Sequence, residues 1–192
     1  SATITAHVRA GIVQGQSSGA GVGSFIPPQE RLYAGGPTTV RGFRQNELGP
    51  AVYIVSGYSP VTENGELYYR VDSTTQTERV MPTGGNTLVV GNLEAQWPSP
   101  LLPKLLQVAA FADAGRLWNR QGTVRGASVS NDGPLVKITP GLGVRVASPF
   151  GAIRIDFGYN PYDLPAGAAY FNARPQEGVA PLYCVSPGNR LV

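Results

Sequence analysis

The chain has 192 residues and a net charge of +3, from 15 Lys and Arg against 12 Asp and Glu. Only 14% of residues are charged while 42% are apolar, which excludes a disordered linker, and 25 glycines with no three-residue period exclude collagen. With 17 prolines as well, the composition points to an all-β chain rich in turns.

A period-two pattern, not the helical 3.6, runs along the chain. In segment 1–13, Thr3, Thr5, His7 and Arg9 fall on one face, and Ile4, Ala6, Val8, Ala10 and Ile12 on the other. Segment 14–85 is expected to be one long loop. In 86–97, Asn92, Glu94 and Gln96 oppose Val89, Leu93, Ala95 and Trp97. A proline-rich turn leads to 107–118, where Gln107 and Asp113 oppose Val108, Ala110, Ala112 and Trp118; Arg116, on the apolar face, breaks the rule. In 135–148, Lys137, Thr139 and Arg145 oppose Val136, Ile138, Leu142, Val144 and Val146. In 152–160, Arg154, Asp156 and Asn160 oppose Ile153, Ile155, Phe157 and Tyr159, and 161–192 is expected to be a last loop.

These runs exceed the five or six residues usual for globular strands and approach the length that crosses a bilayer at a tilt. The alternation alone also fits a water-soluble sandwich. The connections favour a membrane barrel, because short turns alternate with long loops, as in an up-and-down outer-membrane barrel. Five strands cannot close a barrel, and an open edge in lipid would strand backbone hydrogen-bonding groups, so further strands are expected on both sides of the chain. No apolar run reaches the length of a membrane helix.

The functional residue inventory is short. One Cys, Cys184, makes neither an internal disulfide nor a Cys-based zinc site, and one His, His7, makes no two-histidine metal site. A Ser/His/Asp triad would need His7, and no Gly-x-Ser-x-Gly elbow accompanies it. The few scattered basic residues form no nucleic-acid footprint. No catalytic residue, metal or cofactor is expected. Gly141-Leu142-Gly143 lacks the following helix of a dinucleotide site and reads as strand.

The long loop holds Glu30-Arg31-Leu32-Tyr33-Ala34-Gly35-Gly36-Pro37-Thr38-Thr39-Val40-Arg41-Gly42-Phe43. This resembles the hallmark of the BamA/TamA family of outer-membrane barrels, the bacterial surface antigen family, in which an aromatic-x-Gly-Gly segment precedes Val-Arg-Gly-Phe or Tyr. Gly91-Asn92-Leu93-Glu94, the Asp-x-Gly run Phe111 to Trp118, and the hairpin containing Gly141 to Arg145 and Ile153 to Asp156 follow in the family's order. A second Val-Arg-Gly at Val124 lacks this context.

The resemblance implies that the five strands are the eleventh to fifteenth of a sixteen-stranded barrel, and that the loop folds into the lumen. Carried onto this sequence, Arg41 would meet Glu94 and Asp113. The alternation independently places both carboxylates on the polar face, and a guanidinium fork can hold two carboxylates where Lys cannot. Gly35, Gly36 and Gly42 would allow tight bends close to the wall, with Val40 and Phe43 seated beside them.

The resemblance also implies a bacterial outer-membrane location, a role in inserting or translocating β-barrel or secreted proteins, unfolded clients and the lipid bilayer as partners, and possible accessory lipoproteins. The family's usual POTRA domains and closing aromatic-ended strand are not recognisable in the sequence, though the closing strand could begin at 190–192. Alternatives are a two-partner secretion pore, a barrel fused to an upstream lipase, and a soluble β binding module.

Overall fold

The computed structural model describes residues 2–15, 26–56, 59–63, 66–70, 77–103, 105–120, 136–149, 151–165, 167–172 and 182–186. The second Val-Arg-Gly triplet, Leu135 and residues 190–192 lie outside these. The strands are β1 (Thr3–Ile12), β2 (Ala51–Val55), β3 (Ser59–Glu63), β4 (Glu66–Arg70), β5 (Thr77–Pro82), β6 (Thr87–Pro98), β7 (Leu106–Trp118), β8 (Lys137–Ser148), β9 (Gly151–Gly158), β10 (Ala169–Asn172) and β11 (Leu182–Ser186). A single 3-10 turn, Pro28–Glu30, is the only helical element among the described residues, and no helix there is long and apolar enough to cross a membrane.

The main sheet has the order β1-β6-β7-β8-β9, antiparallel throughout. It is an up-and-down ribbon with unbroken register: Glu94 faces Phe111, Asn92 faces Asp113, and Asp113 in turn faces Thr139. Gly143 faces Asp156, and Arg145 faces Arg154. Directly opposed residues in an antiparallel pair share a face. The polar side chains of consecutive strands therefore form one continuous inner surface.

The other face is apolar and open. Ile4, Val8, Leu93, Leu142, Ile155 and Phe157 all project outward and are exposed. Soluble domains rarely leave a contiguous apolar patch of this kind uncovered, whereas a barrel wall presents such a patch to lipid. The architecture is a segment of an antiparallel transmembrane β-barrel, open at β1 and β9.

Segment 14–85, expected as a single long loop, contains four short strands. β2 pairs antiparallel with β5 and parallel with β10, which lies in the expected last loop, and β10 pairs with β11. The two loops thus share a small sheet of order β11-β10-β2-β5, while β3 and β4 form a separate hairpin. Parallel pairing between β2 and β10 links residues more than a hundred positions apart in sequence, for which strand alternation carries no signal. Tyr53 on β2 is fully buried, and its hydroxyl donates to the Pro165 carbonyl.

The hydrophobic core is not inside the main sheet alone. It lies between that sheet and the loop: Ala34, Val40, Phe43 and Leu48 pack on Leu88, Val90 and Leu117. Those three wall residues belong to the inner face, which is thus apolar near the ends of β6 and β7 that lead into the long connections, and charged farther down. The alternation registers the charges of that face but not this apolar patch, whose partner is the loop.

Candidate functional site

The loop reaches the wall as a compact hook. Leu32 exchanges backbone hydrogen bonds with Gly85, and the Leu48 N–H donates to the Ala34 carbonyl, pinning the base of the hook at both sides. At its tip, the Gly35 N–H donates to Thr39 Oγ1 at 2.8 Å, and the Gly36 N–H donates to the Phe43 carbonyl at 3.1 Å. The wall contributes as well, because Asn92 Nδ2 donates to the Thr39 carbonyl at 2.6 Å.

Gly42 has φ +99°, in the region L side chains rarely adopt, and it lies against Thr139 and β9. Gly158 completes the fit from the wall: a Cβ there would lie 2.6 Å from the Gly42 nitrogen. Two glycines on different elements let the two backbones touch.

That contact aims Arg41 at the charged part of the inner face. Its Nε and Nη2 donate to the two oxygens of Asp113 at 2.7 and 2.8 Å, and its own backbone N–H donates to Asp113 Oδ2 at 2.9 Å. Nη1 donates to Glu94 Oε2 at 2.5 Å and to Asp156 Oδ2 at 3.2 Å. The guanidinium carbon lies 3.5 Å from the centroid of the Phe111 ring, so a face of the cation is covered by an aromatic ring. The Arg41 side chain is 7% exposed and that of Asp113 0%.

Two more arginines complete the cluster. Arg145 donates to Glu94 at 2.7 Å and to Asp156 at 2.5 Å, and Arg154 donates to Asp156 at 2.6 Å and to Glu94 at 3.3 Å. Three guanidinium groups and three carboxylates therefore balance in one network spanning the loop, β6, β7, β8 and β9. Burial alone would lower the Arg41 pKa. Hydrogen bonds to Asp113 and Glu94, the Asp113 charge and the Asp156 bond outweigh it and hold the pKa above its ordinary value.

Phe43 lies beside the network, not in it. Its ring stacks on Tyr162 with centroids 6.3 Å apart, and Lys137 Nζ lies 5.3 Å from the Phe43 centroid and 5.6 Å from that of Tyr162. The Tyr162 hydroxyl accepts a hydrogen bond from the Ile138 N–H at 2.9 Å. Val40 is fully buried in the core.

The structure thus brings Gly35, Gly36, Val40, Arg41, Gly42 and Phe43 of the loop together with Glu94 and Asp113 of the wall. Sequence reasoning placed Asp156, Arg145 and Arg154 on the polar face without assigning them to Arg41, and it did not single out Phe111. The available signal was that all four share the inner face with Glu94 and Asp113. Missing was the stagger between strands, which decides who meets whom. Space for the network also comes from the wall glycines, since a Cβ at Gly143 would collide with the Asp156 carboxylate and one at Gly141 with the Phe111 ring.

An antiparallel ribbon with a lipid-type outer face, against whose other face a loop inserts a buried arginine among wall carboxylates, defines a segment of a transmembrane β-barrel wall with a loop packed on its inner side. The chain belongs to the Omp85 superfamily, whose domain model matches residues 1–172. Its fold is similar to that of BamA from Haemophilus ducreyi, in a crystal structure lacking POTRA domains 1–3, with a TM-score of 0.51 and 17% identity. The similarity covers 84% of this chain and 32% of that crystallised BamA chain, so the present chain matches about a third of its length.

Proposed function

We propose that this chain forms the loop-locked wall of a bacterial outer-membrane protein that inserts or translocates β-barrel or secreted proteins, without a covalent reaction of its own. The observation that carries this reading is the insertion of Arg41 among Asp113, Glu94 and Asp156. A solvated pore loop has no need of so many desolvated charges. A loop that must hold adjacent strands in one register does.

In this reading Arg41 is a latch. It couples β6, β7 and β9 through one guanidinium, so the strands on either side of the loop hold their spacing while a barrel edge elsewhere opens. The edge would template an incoming strand by backbone hydrogen bonding, the physics of strand addition. The open edges of β1 and β9 require further strands for closure, since unpaired backbone groups cost several kcal/mol each in lipid. Unfolded outer-membrane or secreted proteins, the lipid bilayer and accessory lipoproteins are the partners this role implies.

The test is Arg41→Ala in the full-length protein, reading insertion of a β-barrel client into vesicles alongside ion conductance of the purified barrel. Lost insertion with unchanged barrel content supports an assembly role. Retained insertion by the variant overturns the latch, and conductance gated by a secreted substrate, with no client insertion by the wild type, assigns the chain to a secretion pore instead.

A further inference from the structure

Arg116 is the only charged side chain on the outward face of the five-stranded sheet among the described residues. Register fixes its direction: it opposes Val89 on β6, while its neighbours Gly115 and Leu117 face inward opposite Val90 and Leu88. Around it the outward surface is Val89, Ile138 and Trp118, with Val89 and Ile138 exposed. Its guanidinium lies over the Trp118 ring, 4.7 Å from the centroid, and no carboxylate of the described residues pairs with it.

Its depth follows from the register. Trp97 opposes Val108, ten positions before Trp118 on β7. At roughly 3.4 Å per residue and a strand tilt of about 40°, the two tryptophans stand about 25 Å apart along the barrel axis, the height of a barrel's apolar band between its aromatic girdles. Arg116 is thus rooted about 5 Å inside the girdle marked by Trp118, at the end of the sheet where the long connections leave. An arginine there extends its head to the headgroup level and leaves its stem in the apolar band. The stack on Trp118 fixes that posture, because the ring lies in the direction the side chain must extend.

We propose that Arg116 and Trp118 form a binding site for the phosphate of a lipid headgroup in the leaflet on the long-loop side of the membrane. A planar guanidinium stacked on one face still presents its N–H edge, the fork that matches a phosphate bidentately. Charge complementarity argues for this occupant: the described outward surface of the sheet around Arg116 is apolar and takes acyl chains, and Arg116, the one charge on that face among the described residues, takes the phosphate at their head. The site is separate from the lumenal network, which faces the other way.

The test uses the full-length protein extracted in mild detergent, with a lipid bearing phosphate monoesters added at fixed ratio and adducts counted by native mass spectrometry. The wild type is expected to retain this lipid about tenfold more strongly than Arg116→Gln, the loss of one charge-assisted contact. Trp118→Leu is expected to weaken retention by a smaller factor, and Arg116→Lys to restore part of it. Heat-modifiable migration checks that each variant keeps its barrel. Equal retention by wild type and Arg116→Gln, with both folded, overturns the proposal; so does displacement of the lipid by inorganic phosphate at equal concentration, which would show a free-anion site instead.

Discussion

Removing the Arg41 side chain is the perturbation whose cost the structure defines most sharply. Glu94 and Asp156 would each keep Arg145 and Arg154 as partners. Asp113 would not: both of its charge-assisted side-chain bonds come from Arg41, and only the residue 41 backbone N–H would remain. Its side chain is fully buried. Leaving a buried carboxylate without its counterion costs about 3–5 kcal/mol, against about 0–1 kcal/mol for an exposed pair. Arg41→Ala is therefore expected to destabilise the hook by about 3–5 kcal/mol, and Arg41→Lys by less but not negligibly, since an ammonium cannot bind both Asp113 oxygens while reaching Glu94. Adding Asp113→Ala to Arg41→Ala should recover much of the loss, because no buried charge is then stranded. The assay is amide hydrogen exchange across residues 31–48 in the folded full-length protein, where the protection lost reports the opening free energy of the loop. A loss below about 1 kcal/mol for Arg41→Ala, or no recovery in the double variant, refutes the reasoning and makes the network a solvated one.

Other residues separate the network's parts. Gly158→Ala should displace the hook from the wall, because the added Cβ would meet the Gly42 nitrogen at 2.6 Å; proteolysis of the loop at unchanged barrel content would reveal a cost of about 1–3 kcal/mol. Arg145→Ala should destabilise more than Arg154→Ala, since the side chains are 13% and 49% exposed, and urea melts of the two would rank them. Burial, then the Glu47 charge, pushes the Tyr53 phenol up to about 12. The neutral phenol is thus favoured in the fold, its contribution is complete below the unfolded value of 10, and it is lost as pH rises toward 12. Protection of β2 and β10, taken relative to the intrinsic base-catalysed exchange rate at each pH, should fall over that window and be flat below it; Tyr53→Phe should remove that fall.

Much of the main sheet is legible in the chain itself. Side chains of a strand alternate strictly, so Glu94, Asp113, Arg145, Arg154 and Asp156 declare their common face without reference to any other strand. The same rule marks Arg116 as the exception on the lipid side. Arg41 within its glycine-rich context is legible for another reason, since a buried hook needs residues that bend sharply and carry little bulk, and these are visible as letters.

The loop strands β2 to β5 were not legible. They are short, and β2 finds its parallel partner β10 only across the intervening barrel strands. Leu88, Val90 and Leu117 show the same limit from the other side: they lie on the inner face with the charges, and only the arrival of Val40, Phe43 and Leu48 makes that position apolar and dry.

The sequence by itself determined which residues of each strand share a face, and which loop residues could enter a narrow space, because these follow from local backbone geometry and side-chain size. Tertiary structure alone decided that Arg41 also reaches Asp156, that Phe111 covers its guanidinium, and that two distant loops share a sheet. Those contacts depend on the stagger of one strand against the next and on the closure of long loops, quantities set by packing of the whole assembly.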